Sequence, residues 1–154
     1  MPELPESMAY GGPGGATPGP LVGALVPFVL GPFTTAAAVA AGAGEFGFRC
    51  PCDLRIESVS WGFMTAPGAG STLAMYKFTA IDGASGGTAV MNATAITTSG
   101  VVEGTGFTSS VNRNFTKGQF VAFDIVIGVS LAANMVVTVM AYISGHAVDE
   151  KTAR

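Results

Sequence analysis

The chain has 154 residues, of which 49% are hydrophobic and only 11% are charged, and its formal net charge is -3. A chain of this length predicts one domain that can bury roughly 70% of the surface exposed by its unfolded form, without metal or disulfide staples. The seven Lys and Arg residues are scattered and form no phosphate-binding stripe, so we expect no nucleic-acid partner.

The N-terminal segment is rich in proline and glycine and predicts an extended arm, which we assign to residues 1–27. Its charged residues are Glu3 and Glu6, and it has no basic residue before position 28. Because a secretory signal peptide begins with positive charge, we expect no export by that route.

Residues 21–44 carry no charge and are long enough to raise the question of a membrane helix. Gly23, Pro27, Gly31 and Pro32 interrupt that helix, and no basic residue flanks it on the N-terminal side. The freed backbone groups would be stranded in lipid, so we expect no membrane partner. A small membrane-associated protein stays a minor alternative, which solubility without detergent would exclude.

The body, residues 28–148, shows the two-residue period of β-strands, and residues 149–154 form a charged tail. The predicted strands are 32–39, 46–50, 53–64, 72–81, 89–98, 101–107, 111–115, 119–128 and 135–143. Turns rich in Gly, Pro and Ser separate them. About eight short strands at this spacing predict an all-β fold, an antiparallel jelly-roll-like β-sandwich. Residues 36–41 also allow a helical turn, because alanine dominates them.

In two predicted strands, the positions of the apolar residues show which side chains share a face. In 53–64, Leu54 and Ile56 are out of phase with Val59 and Trp61, and a β-bulge near residues 57–58 would restore one inward face. In 135–143 both faces are apolar, which suits a strand covered by its own core on one side and by another subunit on the other.

The residues that might carry chemistry are few. His146 is the single histidine, no Gly-x-Ser-x-Gly elbow accompanies it, and the acidic residues form no evident catalytic pair. Cys50-Pro51-Cys52 is too short for a zinc site and too strained for a disulfide, so we interpret both cysteines as structural thiols. We therefore expect a protein that is not an enzyme, with no catalytic residues, no metal and no cofactor.

Three aromatic residues bear on a sugar-binding alternative, because jelly rolls include lectins. They are Trp61, Tyr76 and Tyr142. Trp61 shares its phase with Val59, so the pattern favours a position in the core over a binding face.

The order of these segments along the chain resembles that of a known protein family. The segment Cys50-Pro51-Cys52-Asp53 leads into an aromatic-rich strand, a Gly/Pro/Ser turn and the strand at 73–78, and Lys117-Gly118-Gln119-Phe120 opens a later strand before an Ala/Val-rich one. Over residues 28–146 this succession resembles head decoration, or cement, proteins of tailed bacteriophages, which are small β-sandwich virion proteins. Gln119 departs from the acid usual in that family.

The resemblance implies a non-enzymatic structural protein on the capsid exterior of the virion, which reinforces contacts between subunits of the major capsid protein. It implies a homo-oligomer, with a trimer favoured over a dimer. The arm would extend to a neighbouring subunit. The side chains that we expect to make capsid or subunit contacts are apolar: Leu21, Val22, Leu25, Val26, Phe28, Leu30, Met140 and Tyr142. The alternative function is a carbohydrate-binding β-sandwich module of a phage head fibre or tail.

Overall fold

A computed structural model describes residues 23–35, 46–79, 87–130 and 132–145, and strands dominate them. The strands are β1 (Leu25–Thr35), β2 (Phe46–Arg49), β3 (Asp53–Gly62), β4 (Thr72–Phe78), β5 (Thr88–Ala95), β6 (Gly100–Glu103), β7 (Asn114–Phe115), β8 (Phe120–Val126) and β9 (Ala132–Gly145). A short 3-10 turn at Gly104–Gly106 follows β6.

The strands form two antiparallel sheets packed face to face. The five-stranded sheet has the order β1-β9-β3-β6, with the short β7 also paired to β3, and the four-stranded sheet has the order β2-β8-β4-β5. Consecutive strands from β1 to β5 alternate between the sheets, except for the β4–β5 hairpin, as in a jelly roll. The all-β antiparallel sandwich predicted from the sequence is therefore confirmed.

The core lies between the sheets because each strand turns alternate side chains inward. In β8 the inward residues are Val121, Phe123 and Ile125, which are buried. The inward residues of β9 are equally buried: Met135, Val137, Val139 and Ala141. At the edge of the sandwich, β1 lies over β2, since the rings of Phe28 and Phe48 stack with their centroids 4.4 Å apart.

The predicted bulge in β3 is present. Ile56 pairs with Ala141 and Ser58 pairs with Met140, so one residue, Glu57, is extra on β3. Leu54 and Ile56 before the bulge and Val59 and Trp61 after it are all buried. The extra residue therefore restores a single inward face, as the phase change in the sequence indicated.

The first strand begins earlier than predicted. β1 starts at Leu25, whereas the sequence placed a strand at 32–39 and the end of the arm at residue 27. Pairing with β9 extends the strand toward the N-terminus: the Gly23 N–H donates to the Ile143 carbonyl at 2.8 Å, and the Ile143 N–H donates to the Ala24 carbonyl at 3.0 Å. Residues 1–22, the possible helical turn at 36–41, His146 and the tail at 149–154 lie outside the described residues.

Two later strands are shorter than predicted. The strand expected at 101–107 ends at Glu103, where the chain turns through Gly104 with φ of +55°. The strand expected at 111–115 is reduced to β7, two residues long. Turn geometry that glycine allows ends β6, although apolar residues continue beyond it.

Candidate interaction surface

The outer face of the five-stranded sheet carries an apolar strip along β1 and β9. Alternate residues of the two strands face away from the core and pair across the strands: Leu25 with Tyr142, Pro27 with Met140, and Val29 with Thr138. Val136 continues the row on β9. We call this set the apolar strip: Leu25, Pro27, Val29, Val136, Thr138, Met140 and Tyr142.

The strip is open to solvent, chiefly along β1. Val29 is 60% exposed, Leu25 45% and Tyr142 37%. Met140 and Val136 are half-buried, because β9 has a neighbouring strand on both sides whereas β1 is an edge strand. The strip contains no ionisable group apart from the Tyr142 phenol, so it is a continuous apolar surface of the kind that marks protein contacts.

The structure separates the predicted contact residues into two groups. Leu25, Met140 and Tyr142 lie on the apolar strip. Val26, Phe28 and Leu30 are half-buried on the opposite face of β1, and the last two pack against the core. Leu21 and Val22 lie outside the described residues. The inward residues are thus largely committed to this chain's own fold.

Pro27, Val29, Val136 and Thr138 belong to the strip but were not among the predicted contact residues. Nearly every residue from 25 to 30 is apolar, so the sequence shows no alternation to tell the inward face from the outward one. Only the register with β9 separates them. For β9 the two-residue period was sufficient to identify the outward face, since residues 136, 138, 140 and 142 share the predicted outer face.

The other half of the same outer face, on β3 and β6, is polar. It consists of Arg55, Glu57, Ser58, Ser60 and Glu103, with Val101 as an exposed apolar exception. Arg55 pairs with Tyr142, which places a charge directly beside the strip. The apolar surface is therefore bounded by charged and hydroxyl side chains on one side and by β1, the edge strand among the described residues, on the other.

Charge is also uneven along the strands. The turn before β8 and the start of β3 meet at one end, where the Lys117 N–H donates to Asp53 Oδ1 at 2.8 Å. At the opposite end, loops 63–71 and 127–130 meet through a hydrogen bond from the Gly128 N–H to Ser71 Oγ at 2.9 Å. These two loops carry no charge, and Met64 is 81% exposed within them. We call the two ends the charged end and the uncharged end.

The cysteines and Lys77 close the charged end of the core. Cys50 is only 1% exposed, and Cys52 is half-buried beside it; both are free thiols. Burial raises the pKa of the Cys50 thiol to about 12, with a further rise from Cys52 and an opposing effect of Lys77. Burial also raises the pKa of Cys52, followed by the charge of Asp53. Both thiols therefore stay protonated and weakly nucleophilic at neutral pH.

Lys77 is half-buried between the sheets. Its Nζ donates to the Asn114 carbonyl and lies 4.8 Å from the centroid of the Phe115 ring. Burial lowers the pKa of Lys77. The carbonyl acceptor and the aromatic ring both stabilise the ammonium group of Lys77, so these contacts fit a structural role for this residue.

The three aromatic residues considered for sugar binding do not converge. Trp61 is buried, and its Nε1–H donates to the Thr98 carbonyl at 2.8 Å, which confirms that it belongs to the core. Tyr142 is on the apolar strip of one sheet, whereas Tyr76 faces outward from the other. No single face unites them.

Within the described residues, no three His, Cys, Asp or Glu side chains gather as metal ligands. The same part of the chain has no helix long and apolar enough to span a membrane. Comparison with protein-family models, with curated proteins and with solved structures finds no match to this chain.

Proposed function

We propose that this protein is a non-enzymatic structural protein of a phage virion, which binds the outside of the capsid through the apolar strip. Its partner is the major capsid protein, and its role is to reinforce contacts between capsid subunits. The single observation that carries the proposal is the exposed, uncharged strip on β1 and β9, bordered by polar residues.

Two further features support the capsid assignment. The succession of segments in the sequence resembles head decoration proteins, and the jelly-roll fold recurs among viral capsid proteins and lectins. Because one fold hosts many functions, the proposal rests on the strip rather than on the fold. An exposed and mainly apolar face suits another protein surface, whereas a sugar would be met by converging aromatic and polar groups.

The proposed mechanism is the burial of apolar surface between this protein and the capsid, and it needs no chemical reaction. Removing apolar area from water contributes about 25 cal/mol per Å² before the costs of association. A homo-oligomer, a trimer rather than a dimer, would add such contacts from several copies on neighbouring capsid subunits, so that separating the subunits would require breaking all of them together.

The proposal is tested by placing a charge on the strip. Val29→Glu puts a carboxylate where the side chain is 60% exposed, so the free protein should fold normally. On binding, that carboxylate would be buried without a partner, and attachment to capsids assembled without the protein should weaken by about 100-fold or more. Co-sedimentation of the full-length protein with such capsids measures the effect.

Val111→Glu is the matched control, since Val111 is 69% exposed in the loop before β7 and lies off the strip. It should attach like the parent protein. Equal attachment of the Val29→Glu variant, or capsids that withstand heating equally well with and without the protein, would contradict the proposed function.

A further inference from the structure

The outer face of the four-stranded sheet carries a second surface, formed by aromatic residues and one arginine. Arg49 and Phe78 both pair with Phe120, and Tyr76 pairs with Ala122. The Arg49 guanidinium carbon lies 5.9 Å from the centroid of the Phe120 ring, and the rings of Tyr76 and Phe78 are 6.4 Å apart. We call Arg49, Tyr76, Phe78, Phe120 and Ala122 the aromatic ledge.

The ledge is not an extension of the core. Its three rings are half-buried, and none of them is among the partly buried side chains packed against the core. Its floor is made of small residues, Ala122 and Gly47. A methyl group on Gly47 would lie 1.9 Å from the Val121 carbonyl oxygen, so this position must be glycine. The three rings are therefore partly open to solvent beside this floor, with the edge of the Phe78 ring against Gly87.

Arg49 supplies a charge beside the rings of the ledge. Its side chain is exposed, and its guanidinium lies over the Phe120 ring. A surface of aromatic rings beside an exposed guanidinium fits a proline-rich segment with acidic residues. Proline rings pack on aromatic faces in polyproline II recognition, and a guanidinium binds carboxylates.

The chain itself contains such a segment, Pro2-Glu3-Leu4-Pro5-Glu6. A polyproline II helix has three residues per turn, so in that conformation Pro2 and Pro5 share one side and Glu3 and Glu6 share the next. The spacing thus presents two prolines to the rings and two carboxylates to Arg49. These two glutamates are the charged residues of the arm.

The arm can reach the ledge of its own molecule. Gly23 enters β1 at the end of the sandwich where β2 ends with Arg49, and β1 and β2 are stacked through Phe28 and Phe48. The 16 residues from 7 to 22 span about 50 Å when extended, whereas the two sheets are about 10 Å apart. Binding within one molecule also gains from a high effective concentration.

We propose that residues 2–6 dock on the aromatic ledge of the same chain, with the two prolines on the rings and the two glutamates at Arg49. The docking covers the aromatic surface and fixes the start of the arm. It does not depend on the proposed capsid role, because it takes place in the free protein.

The test uses the full-length protein in dilute solution and follows amide hydrogen exchange by NMR. The amides of Glu3, Leu4, Glu6 and Ser7 are observable, since proline has no N–H. We expect them to exchange at least about tenfold more slowly than in a peptide with the sequence of residues 1–10. Arg49→Glu, or Glu3→Arg with Glu6→Arg, should abolish that protection, and combining all three changes should restore part of it.

Arg55→Glu is the matched control, since Arg55 is an exposed arginine on the opposite sheet, and it should leave the protection intact. Peptide-like exchange in the parent protein, or no effect of Arg49→Glu, would overturn the proposal. Protection that disappears on dilution would also overturn it by assigning the contact to a second copy. Glycan binding at the ledge with an unprotected arm would assign the surface to carbohydrate instead.

Discussion

At the residue scale, the buried thiol of Cys50 makes the stability of the folded protein depend on pH. Its backbone is held on both sides, by a 2.8 Å hydrogen bond from its N–H to the Gln119 carbonyl and a 2.9 Å bond from the Gly118 N–H to its carbonyl. The sequence indicated structural thiols but not their depth, because Cys-Pro-Cys alone does not say which sulfur points inward. The structure places Cys50 deeper than Cys52.

The folded protein should lose stability at alkaline pH through Cys50. Its pKa is about 12 in the folded state and 9.0 when unfolded, so between these values the folded state binds more protons and the free energy of unfolding falls as pH rises. From pH 9 to 10.5 the loss is at most about 2 kcal/mol. Urea titrations of the parent and Cys50→Ala proteins measure it, and the variant should lose correspondingly less.

Cys52→Ala is the control for that measurement, because Cys52 is only half-buried and should contribute less. Lys77 has a lowered pKa and acts in the opposite direction, but it is present in all three proteins. Identical alkaline losses in the parent and Cys50→Ala proteins would show that the thiol is not buried in its protonated form.

At the element scale, strands with alternating polar and apolar residues were predictable and the edge strand was not. β3 and β9 show their faces in the sequence, including the phase change at the bulge. β1 does not, since Pro27 argues against a strand and its apolar run has no alternation. Its pairing with β9 outweighs those local signals, and this is why only part of the apolar strip could be named from the sequence.

The bulge in β3 should depend on the presence of residue 57 and little on its side chain. Arg113 Nη1 lies 3.8 Å from the Glu57 carboxylate, which is partly exposed, so Glu57→Ala should cost at most about 1 kcal/mol. Deleting Glu57 would turn either Leu54 and Ile56 or Val59 and Trp61 away from the core. The deletion should cost more than about 3 kcal/mol in chemical denaturation, or abolish cooperative unfolding. Similar stabilities for both variants would contradict the role of the bulge.

At the scale of the whole molecule, the described part of the sandwich has a charged end and an uncharged end. β1 begins and β9 ends at the charged end, so residues 1–22 and 146–154 both connect to the described fold there. The apolar strip runs from Tyr142 near the charged end to Val136, toward the loops with exposed Met64 and Val129. Exposed apolar side chains are thus found both along the strip and at the uncharged end.

This asymmetry predicts how the protein is oriented on a capsid, if the proposed function holds. The strip and the uncharged end should face the capsid, because charged side chains lose hydration when they are buried without partners. Val129→Glu, at a position 74% exposed in the free protein, should therefore weaken attachment by about tenfold or more. A peptide tag added after Arg154 should instead leave attachment unchanged and bind its antibody on decorated capsids as well as on the free protein. A tag that becomes inaccessible on the particle, together with normal attachment of the Val129→Glu variant, would reverse the orientation and place the charged end against the capsid.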